Sequence, residues 1–180
     1  MIALPSPTVS AKALALPPYA VVVLVGAPAS GKTTLRQTLL ADHPFEVISL
    51  DDERLTLRER DCAAGREPRP LQDYSWLAMR RGEEAAGELL RRGVGYLADA
   101  THLRRRERVR HVRAAHAAGL PAVGALLPEL PLEELRARNA SRPEFRRVPD
   151  DILERHAHRR SLLTPDLLTE EGFDDVVEVG

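Results

Sequence analysis

The sequence predicts an α/β fold, a three-layer sandwich around a five-stranded, mainly parallel sheet. Three observations support this prediction: five short apolar runs recur along the chain, helix-length stretches separate them, and the first run contains only Ala, Val and Leu. A run without polar alternation is typical of a strand that is covered on both faces. Strands that alternate with helices form parallel sheets with helices on either side. The length of 180 residues fits one domain with a sizeable core.

The predicted strands are the apolar runs at residues 20–25, 46–50, 94–98, 122–127 and 176–179. The predicted helices cover residues 32–41, 73–92, 104–118, 131–139 and 149–163. Glycines follow the second and third of these helices, and the last two begin with a proline followed by acidic residues, which are common stop and start signals. Residues 58–71 contain Gly65, Pro68 and Pro70, so we expect an exposed loop there.

The two ends and the single cysteine indicate a soluble cytoplasmic protein. Prolines interrupt the apolar N-terminus, which has no basic segment ahead of it, so it does not resemble an export signal. We expect residues 1–17 to form a loose arm and residues 18–180 to form the domain. Cys62 is the only cysteine, which excludes an internal disulfide and a thiolate metal cluster.

The charge balance limits the partners that the chain could have. It has 26 Lys+Arg and 27 Asp+Glu, a formal net charge of −1, and its only lysines are Lys12 and Lys32. This balance excludes binding to nucleic acid through bulk positive charge, so any such contact must come from local clusters. A composition of 43% hydrophobic and 29% charged residues excludes general disorder.

Residues 26–33 read GAPASGKT and match the phosphate-loop pattern GxxxxGK[ST], between a predicted strand and a predicted helix. Gly26 and Gly31 allow the backbone to curl with its N–H groups inward, at the positive end of a helix. Lys32 would reach the β- and γ-phosphates, and the Thr33 hydroxyl would ligate Mg²⁺. The motif therefore predicts binding of a nucleoside triphosphate. The residues expected at the phosphates are Gly26, Ala27, Pro28, Ala29, Ser30, Gly31, Lys32, Thr33 and Thr34.

Two acidic segments favour a kinase over a switch or a motor, and no Asn-Lys-x-Asp guanine motif is present. VISLDDER places Asp51 and Asp52 at the carboxyl end of the second strand, where a carboxylate could take a proton from an attacking hydroxyl. Arg54 could hold an anionic group of the acceptor. The alternative is an Asp that caps a helix, with charges facing solvent.

The second acidic segment, GYLADAT, places Asp99 beside the phosphate loop at the end of the third strand. An acid at this point steers Mg²⁺ through water or holds the Thr33 hydroxyl; the alternative is an Asp that forms a turn. Thr101 and His102 follow at the expected mouth of the site. For His102 we expect a polar capping role rather than catalysis.

Arginines are concentrated after the fourth strand, where a flexible lid over the phosphates is expected. They are Arg136, Arg138, Arg142, Arg146 and Arg147. Arg138 and Arg142 are the predicted contacts to the nucleotide; the alternative is a solvated basic face. The run RRRERVRHVR at residues 104–113 spreads its charges round a helix, so we expect it to be solvated surface.

These motifs resemble those of the 5′-hydroxyl polynucleotide kinases of phage and bacterial RNA end-healing systems, within the wider group of small P-loop kinases. The resemblance rests on LVGAPASGKTT, SLDDERL, YLADATH and ARNASRPEFRRVPDDIL, in that order, and covers residues 16–179. It implies ATP as the phosphate donor, Mg²⁺ as the metal and a nucleic-acid 5′-hydroxyl as the acceptor.

The resemblance also implies roles for individual residues. Lys32 and Thr33 would bind the ATP phosphates and the metal. Asp51 would be the general base, and Arg54 would bind the acceptor's phosphate. Asp99 would be the acid after the third strand, and Arg142 would be the lid arginine. The chain departs from the family in having His102 where Asn is usual. The family's repair modules are not expected within these residues. Two alternatives stay open: a kinase of a small sugar, nucleoside or antibiotic, and a nucleotide-binding module without catalysis.

Overall fold

A five-stranded parallel sheet forms the middle layer of the protein, as seen in a computed structural model that describes residues 16–17, 19–42 and 45–179. The strands are β1 (Val21–Val25), β2 (Glu46–Ser49), β3 (Tyr96–Asp99), β4 (Ala122–Leu126) and β5 (Asp175–Glu178). Their order is β2-β3-β1-β4-β5, and every pair is parallel. The predicted fold class is confirmed, because the sheet is parallel throughout and helices cover it.

The sheet edge that carries the functional residues is set by the strand register. β3 lies between β1 and β2, and Ser49 of β2 pairs with Asp99 of β3. β3 starts later than residue 94, where the sequence placed it. The Val94 N–H donates to the Leu89 carbonyl at 3.0 Å and so completes the end of the preceding helix. Because all strands run the same way, their carboxyl ends lie along one edge of the sheet.

Seven α-helices lie within the described residues. They are α1 (Lys32–Asp42), α2 (Leu50–Ala63), α3 (Ser75–Arg91), α4 (Arg105–Ala117), α5 (Leu132–Ala140), α6 (Asp150–Ser161) and α7 (Pro165–Glu170). Short 3-10 turns precede α3, at Leu71–Tyr74, and α6, at Glu144–Arg146. Five of the helices correspond to predicted ones. The sequence did not predict α2 or the short α7.

α2 is the main correction to the predicted elements, since the expected loop at 58–71 is helical as far as Ala63. Leu57 is its only buried residue, so the apolar periodicity that reveals a packed helix is missing. The helix starts directly after β2, and the Ser49 hydroxyl accepts a hydrogen bond from the Asp52 N–H at 3.3 Å. A side-chain cap of this kind stabilises the first turn of a helix.

The two faces of β1 enter two separate parts of the core. Val21, Val23 and Val25 pack with residues of α3, α4 and α7, whereas Val22 and Leu24 pack with Leu35 and other residues of the α1 side. All five residues of β1 are fully buried. The absence of alternation in the sequence is explained by this covering on both faces.

Arg108 contradicts the expectation that the basic run at 104–113 is solvated surface. Its side chain is 2% exposed, and its guanidinium forms two hydrogen bonds of 2.6 Å to the Glu171 carboxylate. It also donates to the His102 carbonyl at 2.9 Å. A fully buried charge requires this kind of bidentate pairing. The ion pair joins α4 to the end of α7.

The predicted N-terminal arm lies almost entirely outside the described residues, which include only Leu16 and Pro17 of it. Leu16 is buried and packs in the same cluster as Val22 and Leu24. The division into an arm and a domain therefore stays a prediction. In the described part of the chain, no helix combines the length and the apolar character needed to cross a membrane.

Candidate active site

The phosphate loop between β1 and α1 forms a curled backbone, as its glycines predicted. Gly31 has φ +105°, and Ala29, which is not a glycine, has φ +63°. Left-handed residues within such a loop turn successive N–H groups toward a common centre and create an anion site. Gly26 is required for a different reason, because a Cβ there would lie 2.8 Å from Ser30 Oγ and 2.9 Å from Leu127 Cβ.

Lys32 lies at the start of α1 and folds back over the loop. Its ammonium donates to the carbonyls of Gly26, at 2.9 Å, and Ala27, at 2.5 Å. Burial lowers its pKa to about 8, against the opposing effect of the Asp99 and Asp51 carboxylates. The lysine is therefore a desolvated cation within the anion site, where a phosphate would restore the balance of charge.

Ser30 is buried in the phosphate loop, next to Gly26. Its hydroxyl is buried and has no hydrogen-bond partner in the residues that the structure describes. A buried polar atom that stays unpaired destabilises a fold unless a ligand or water satisfies it.

Arg36 is a site residue that the sequence analysis missed. One guanidinium nitrogen donates both to Asp52, at 2.8 Å, and to Asp99, at 2.9 Å. It thereby links α1, α2 and β3 at the floor of the site. The signal was present in the sequence, because Arg36 follows Lys32 by four residues and so lies on the same helix face.

Asp99 is the more buried of these two carboxylates, with 13% of its side chain exposed against 54% for Asp52. Burial raises the pKa of Asp99, and the nearby Arg36 and Lys32 cations oppose that rise. The expectation that Asp99 lies beside the phosphate loop agrees with this geometry, since Lys32 interacts with it.

Thr33 and Asp99 offer the donor set expected for Mg²⁺ that is bound together with nucleotide phosphates. The Thr33 side chain is exposed, and Arg36 contacts only the Oδ2 atom of Asp99. Throughout the described ranges no group of three or more His, Cys, Asp or Glu residues forms a metal cage. Mg²⁺ usually keeps several waters and takes only one or two protein oxygens besides phosphate, so these residues fit it.

Asp51 lies in the first turn of α2, directly after the end of β2, and Arg54 follows three residues later on the same helix. Asp51 is 86% exposed, and the Arg54 guanidinium donates to its Oδ1 atom at 2.5 Å. Arg54 also donates to the Ser75 hydroxyl at 3.1 Å, which fixes it against α3. The alternative of an Asp cap is wrong, because Ser49 caps this helix.

The arginines after β4 fall into two groups. Arg136 pairs with Glu133 and Asp150, and Arg138 pairs with Glu134 at 2.5 Å. The other three arginines have no ion pair within the described residues; they are Arg142, Arg146 and Arg147. Arg136 therefore belongs to a solvated basic face, because both of its charged partners are acidic residues of the protein and it does not line the cavity at the phosphate loop.

Asn139 holds the loop that carries the unpaired arginines. Its side-chain amide donates to the Val148 carbonyl at 2.8 Å, and its Oδ1 atom accepts from the Val148 N–H at 3.1 Å. These bonds tie together the two ends of the loop at residues 140–147, which is the predicted lid. Arg142 lies inward, where burial lowers its pKa and Asp51 opposes that effect. Asn139 was not predicted, because a buried amide at a helix end leaves no periodic signal in the sequence.

One cavity of about 860 Å³ brings the predicted residues together. Its walls come from the phosphate loop, the start of α2, the end of β3 and the lid. Its lining includes these predicted residues: Pro28, Ala29, Gly31, Lys32, Thr33, Thr34, Asp51, Arg54, Asp99, Arg138 and Arg142. Three predicted loop residues are not in its lining, namely Gly26, Ala27 and Ser30, which are buried behind it.

His102 lies in the cavity wall as a buried residue, 6% exposed, and not at an open mouth as expected. Its Nδ1 atom is 2.8 Å from the Leu24 carbonyl, and its φ is +44°. It does not cap the following helix, whose cap is Arg104. Burial lowers the His102 pKa to about 4, so the ring is neutral at pH 7. The Nδ1 atom of neighbouring His111 forms a hydrogen bond of 2.8 Å with the Tyr96 hydroxyl. Burial lowers the pKa of His111 to about 3.

Comparison with known proteins shows a family and a fold. A family model described as an AAA domain (AAA_33) matches residues 21–163. None of the curated proteins compared with the chain matches it.

Three solved structures show the same fold at low identity. A candidate kinase from Chloroflexus aurantiacus has a TM-score of 0.62 at 18% identity, with 91% of this chain and 88% of that chain covered. A gluconokinase from Sinorhizobium meliloti has a TM-score of 0.51 at 20% identity, with 89% of this chain and 83% of that chain covered. A shikimate kinase from Acinetobacter baumannii in complex with shikimate has a TM-score of 0.50 at 17% identity, with 90% of this chain and 84% of that chain covered. The chain therefore has a kinase-like P-loop fold.

Proposed function

The chain belongs to the AAA domain family, and we propose that it is a kinase that transfers the γ-phosphoryl group of ATP to the 5′-hydroxyl of a polynucleotide. One observation carries the kinase proposal. Lys32 of the phosphate loop, Asp51 of α2 and Arg142 of the lid line the same cavity, and Asp51 interacts electrostatically with both cations. This shared cavity supports the proposal that the donor, acceptor and lid residues act together.

The proposed mechanism is an in-line displacement at phosphorus. Asp51 takes the proton of the acceptor hydroxyl, whose oxygen bonds to the γ-phosphorus while the bond to the bridging oxygen of ADP breaks. Lys32 and Arg142 neutralise the charge on the phosphoryl oxygens as it is transferred. When bound at Thr33 and Asp99, Mg²⁺ supplies further positive charge to the β- and γ-phosphates. Arg54 holds an acceptor phosphate next to the hydroxyl.

Two features support a polynucleotide as the acceptor. The resemblance of the SLDDERL, YLADATH and ARNASRPEFRRVPDDIL segments to end-healing kinases includes the acceptor side of the site. In addition, Arg146 and Arg147 line the cavity without ion pairs in the described part of the chain, which leaves them available to the phosphates of a strand.

A small-molecule acceptor is the second candidate. It is supported by the fold shared with proteins named gluconokinase and shikimate kinase, and by the neutral polar groups of Tyr96, His102 and His111 in the cavity wall. Neutral hydrogen-bonding groups bind a hydroxyl-rich molecule better than they bind a polyanion.

The deciding experiment is an acceptor panel with γ-labelled ATP and Mg²⁺. It contains single-stranded 5′-hydroxyl RNA and DNA, the same strands with a 5′-phosphate, nucleosides and sugars. We expect label on the 5′-hydroxyl strands, none on the 5′-phosphorylated controls, and weaker transfer as salt rises. Label on a nucleoside or sugar with little salt dependence would establish the second candidate. Label on no acceptor would overturn the kinase proposal.

A further inference from the structure

Phe145 is a large aromatic side chain that the protein leaves open to solvent at the lid. It is 49% exposed, lies in the 3-10 turn Glu144–Arg146, and lines the cavity. Two guanidinium groups approach its ring: the Cζ atoms of Arg58 and Arg146 are 5.9 Å and 5.8 Å from the ring centroid. Both distances fall within the range of cation–π contacts. Phe145 is thus held by arginines from two different elements.

Arg58 connects this aromatic to the acceptor side of the site. It lies on α2 four residues after Arg54 and seven after Asp51, so the three side chains share one face of the helix. A strand whose 5′-hydroxyl is at Asp51 and whose first phosphate is at Arg54 would continue along this face toward Phe145. The phosphate loop, by contrast, leads into a different helix, α1.

The arginines around Phe145 differ from most others on the surface in having no acidic partner. Arg58, Arg142, Arg146 and Arg147 form no ion pair within the ranges described, whereas Arg136 and Arg138 of neighbouring α5 do. Unpaired cations beside an exposed ring are the combination by which proteins bind single-stranded nucleic acid, with phosphates on the cations and a base on the ring.

Building on the proposed kinase function, we propose that Phe145 is a stacking platform for a base near the 5′ end of a single-stranded polynucleotide acceptor. The base would displace a guanidinium from the ring, and Arg58 and Arg146 would then bind the phosphates of the strand's backbone. Phe145 is a binding residue in this proposal and takes no part in the chemistry. The ring would fix the position of the strand and so improve the alignment of its terminal hydroxyl with Asp51.

The test compares Phe145→Ala and Phe145→Tyr with Trp76→Ala as the matched control. Trp76 is also an exposed aromatic, 63% exposed, with Arg80 Cζ 5.3 Å from its ring centroid, but it does not line the cavity. The probe is a short, fluorescein-labelled, single-stranded 5′-hydroxyl oligonucleotide, and binding is measured by fluorescence anisotropy. ATP binding is measured separately by calorimetry.

We expect Phe145→Ala to weaken oligonucleotide binding about 5- to 150-fold, the range that corresponds to loss of one base–aromatic stack. Phe145→Tyr should retain binding, because a tyrosine ring stacks equally well. Trp76→Ala should bind as the unaltered protein does. ATP affinity should be the same in all variants. Oligonucleotide binding that is equal in Phe145→Ala and the unaltered protein would overturn the proposal, as would a loss confined to ATP.

The outcomes separate this proposal from the kinase function on which it rests. If the unaltered protein phosphorylates the oligonucleotide and Phe145→Ala binds it normally, only the stacking role is wrong. If the strand binds through Phe145 but accepts no phosphate, the stacking role stands and the transfer reaction is wrong. If the unaltered protein binds no oligonucleotide, both the polynucleotide acceptor and the stacking role are overturned.

Discussion

Arg36 and Asp99 are joined by a hydrogen bond of 2.9 Å between a guanidinium nitrogen on α1 and a carboxylate at the end of β3. The same nitrogen also reaches Asp52 on α2, at 2.8 Å. This relationship matters because α1 carries Lys32, β3 ends at the predicted metal ligand, and α2 carries the predicted base. A single arginine thus joins the three elements that carry the predicted phosphate, metal and base residues.

We expect Arg36→Met to lower the free energy of unfolding by about 1–3 kcal/mol, because it leaves the poorly exposed Asp99 carboxylate without its hydrogen-bonding cation. Asp52→Asn is the matched control. It removes the other partner of the same guanidinium, but Asp52 is 54% exposed, so the loss should stay below about 1 kcal/mol. Urea unfolding of both variants provides the measurement. Equal losses in the two would show that the burial of Asp99 does not matter.

His102 should make the fold sensitive to acid. Its pKa is lowered to about 4 by burial, whereas an unfolded chain binds the proton near pH 6.5. Between these values the unfolded state holds more protons, so stability is complete above pH 6.5 and falls as the pH drops toward 4. His102→Asn should reduce this loss, and Asn tolerates the left-handed φ of +44°.

The measurement for His102 is the free energy of unfolding in urea at pH 7 and at pH 5. The same substitution at exposed His158 of α6 serves as the control. A drop between the two pH values that is as large in His102→Asn as in the unaltered protein would contradict the assignment. The remaining acid sensitivity would then lie with His111 and His156, whose pKa values are also lowered by burial.

Arg108→Met should be among the most destabilising single substitutions outside the apolar core, at a cost of about 3–5 kcal/mol. It would leave the Glu171 carboxylate, which is 2% exposed, as an unpaired buried charge. The double variant Arg108→Met/Glu171→Leu removes both charges, and we expect it to regain most of the loss. Arg110→Met breaks an exposed ion pair with Glu83 and should cost less than about 1 kcal/mol. Thermal and urea unfolding of the three variants would check these values.

Much of the fold could be predicted because burial on both faces of a parallel sheet leaves an unbroken apolar run, as at Val21–Val25. The phosphate loop could be predicted because its chemistry needs a local pattern of glycines, Lys32 and Thr33. α2 could not be predicted in the same way. It packs through few buried residues, and its start depends on a cap at Ser49 that overlaps the end of β2.

Several polar contacts that the sequence did not reveal join residues far apart in the chain. Arg36 and Asp99 are 63 positions apart, as are Arg108 and Glu171. Nothing in the local pattern of 104–113 separates buried Arg108 from its exposed neighbours, because only the tertiary fold brings Glu171 to it. The same limit applies to Phe145, whose exposure and contact with Arg58 depend on how the lid meets α2.

Asp51→Asn is expected to preserve ATP binding and to lower the rate of phosphoryl transfer about 100- to 10,000-fold, the usual contribution of a general base. The amide keeps the shape of the side chain, and Asp51 is 86% exposed, so the fold should not change. Glu59→Gln is the control, since Glu59 is an exposed carboxylate on the same helix that does not line the cavity. Transfer is measured with labelled ATP at saturating acceptor, and ATP affinity by calorimetry. Normal transfer by Asp51→Asn would remove Asp51 as the base, whereas loss of both transfer and ATP affinity would make it part of the nucleotide site.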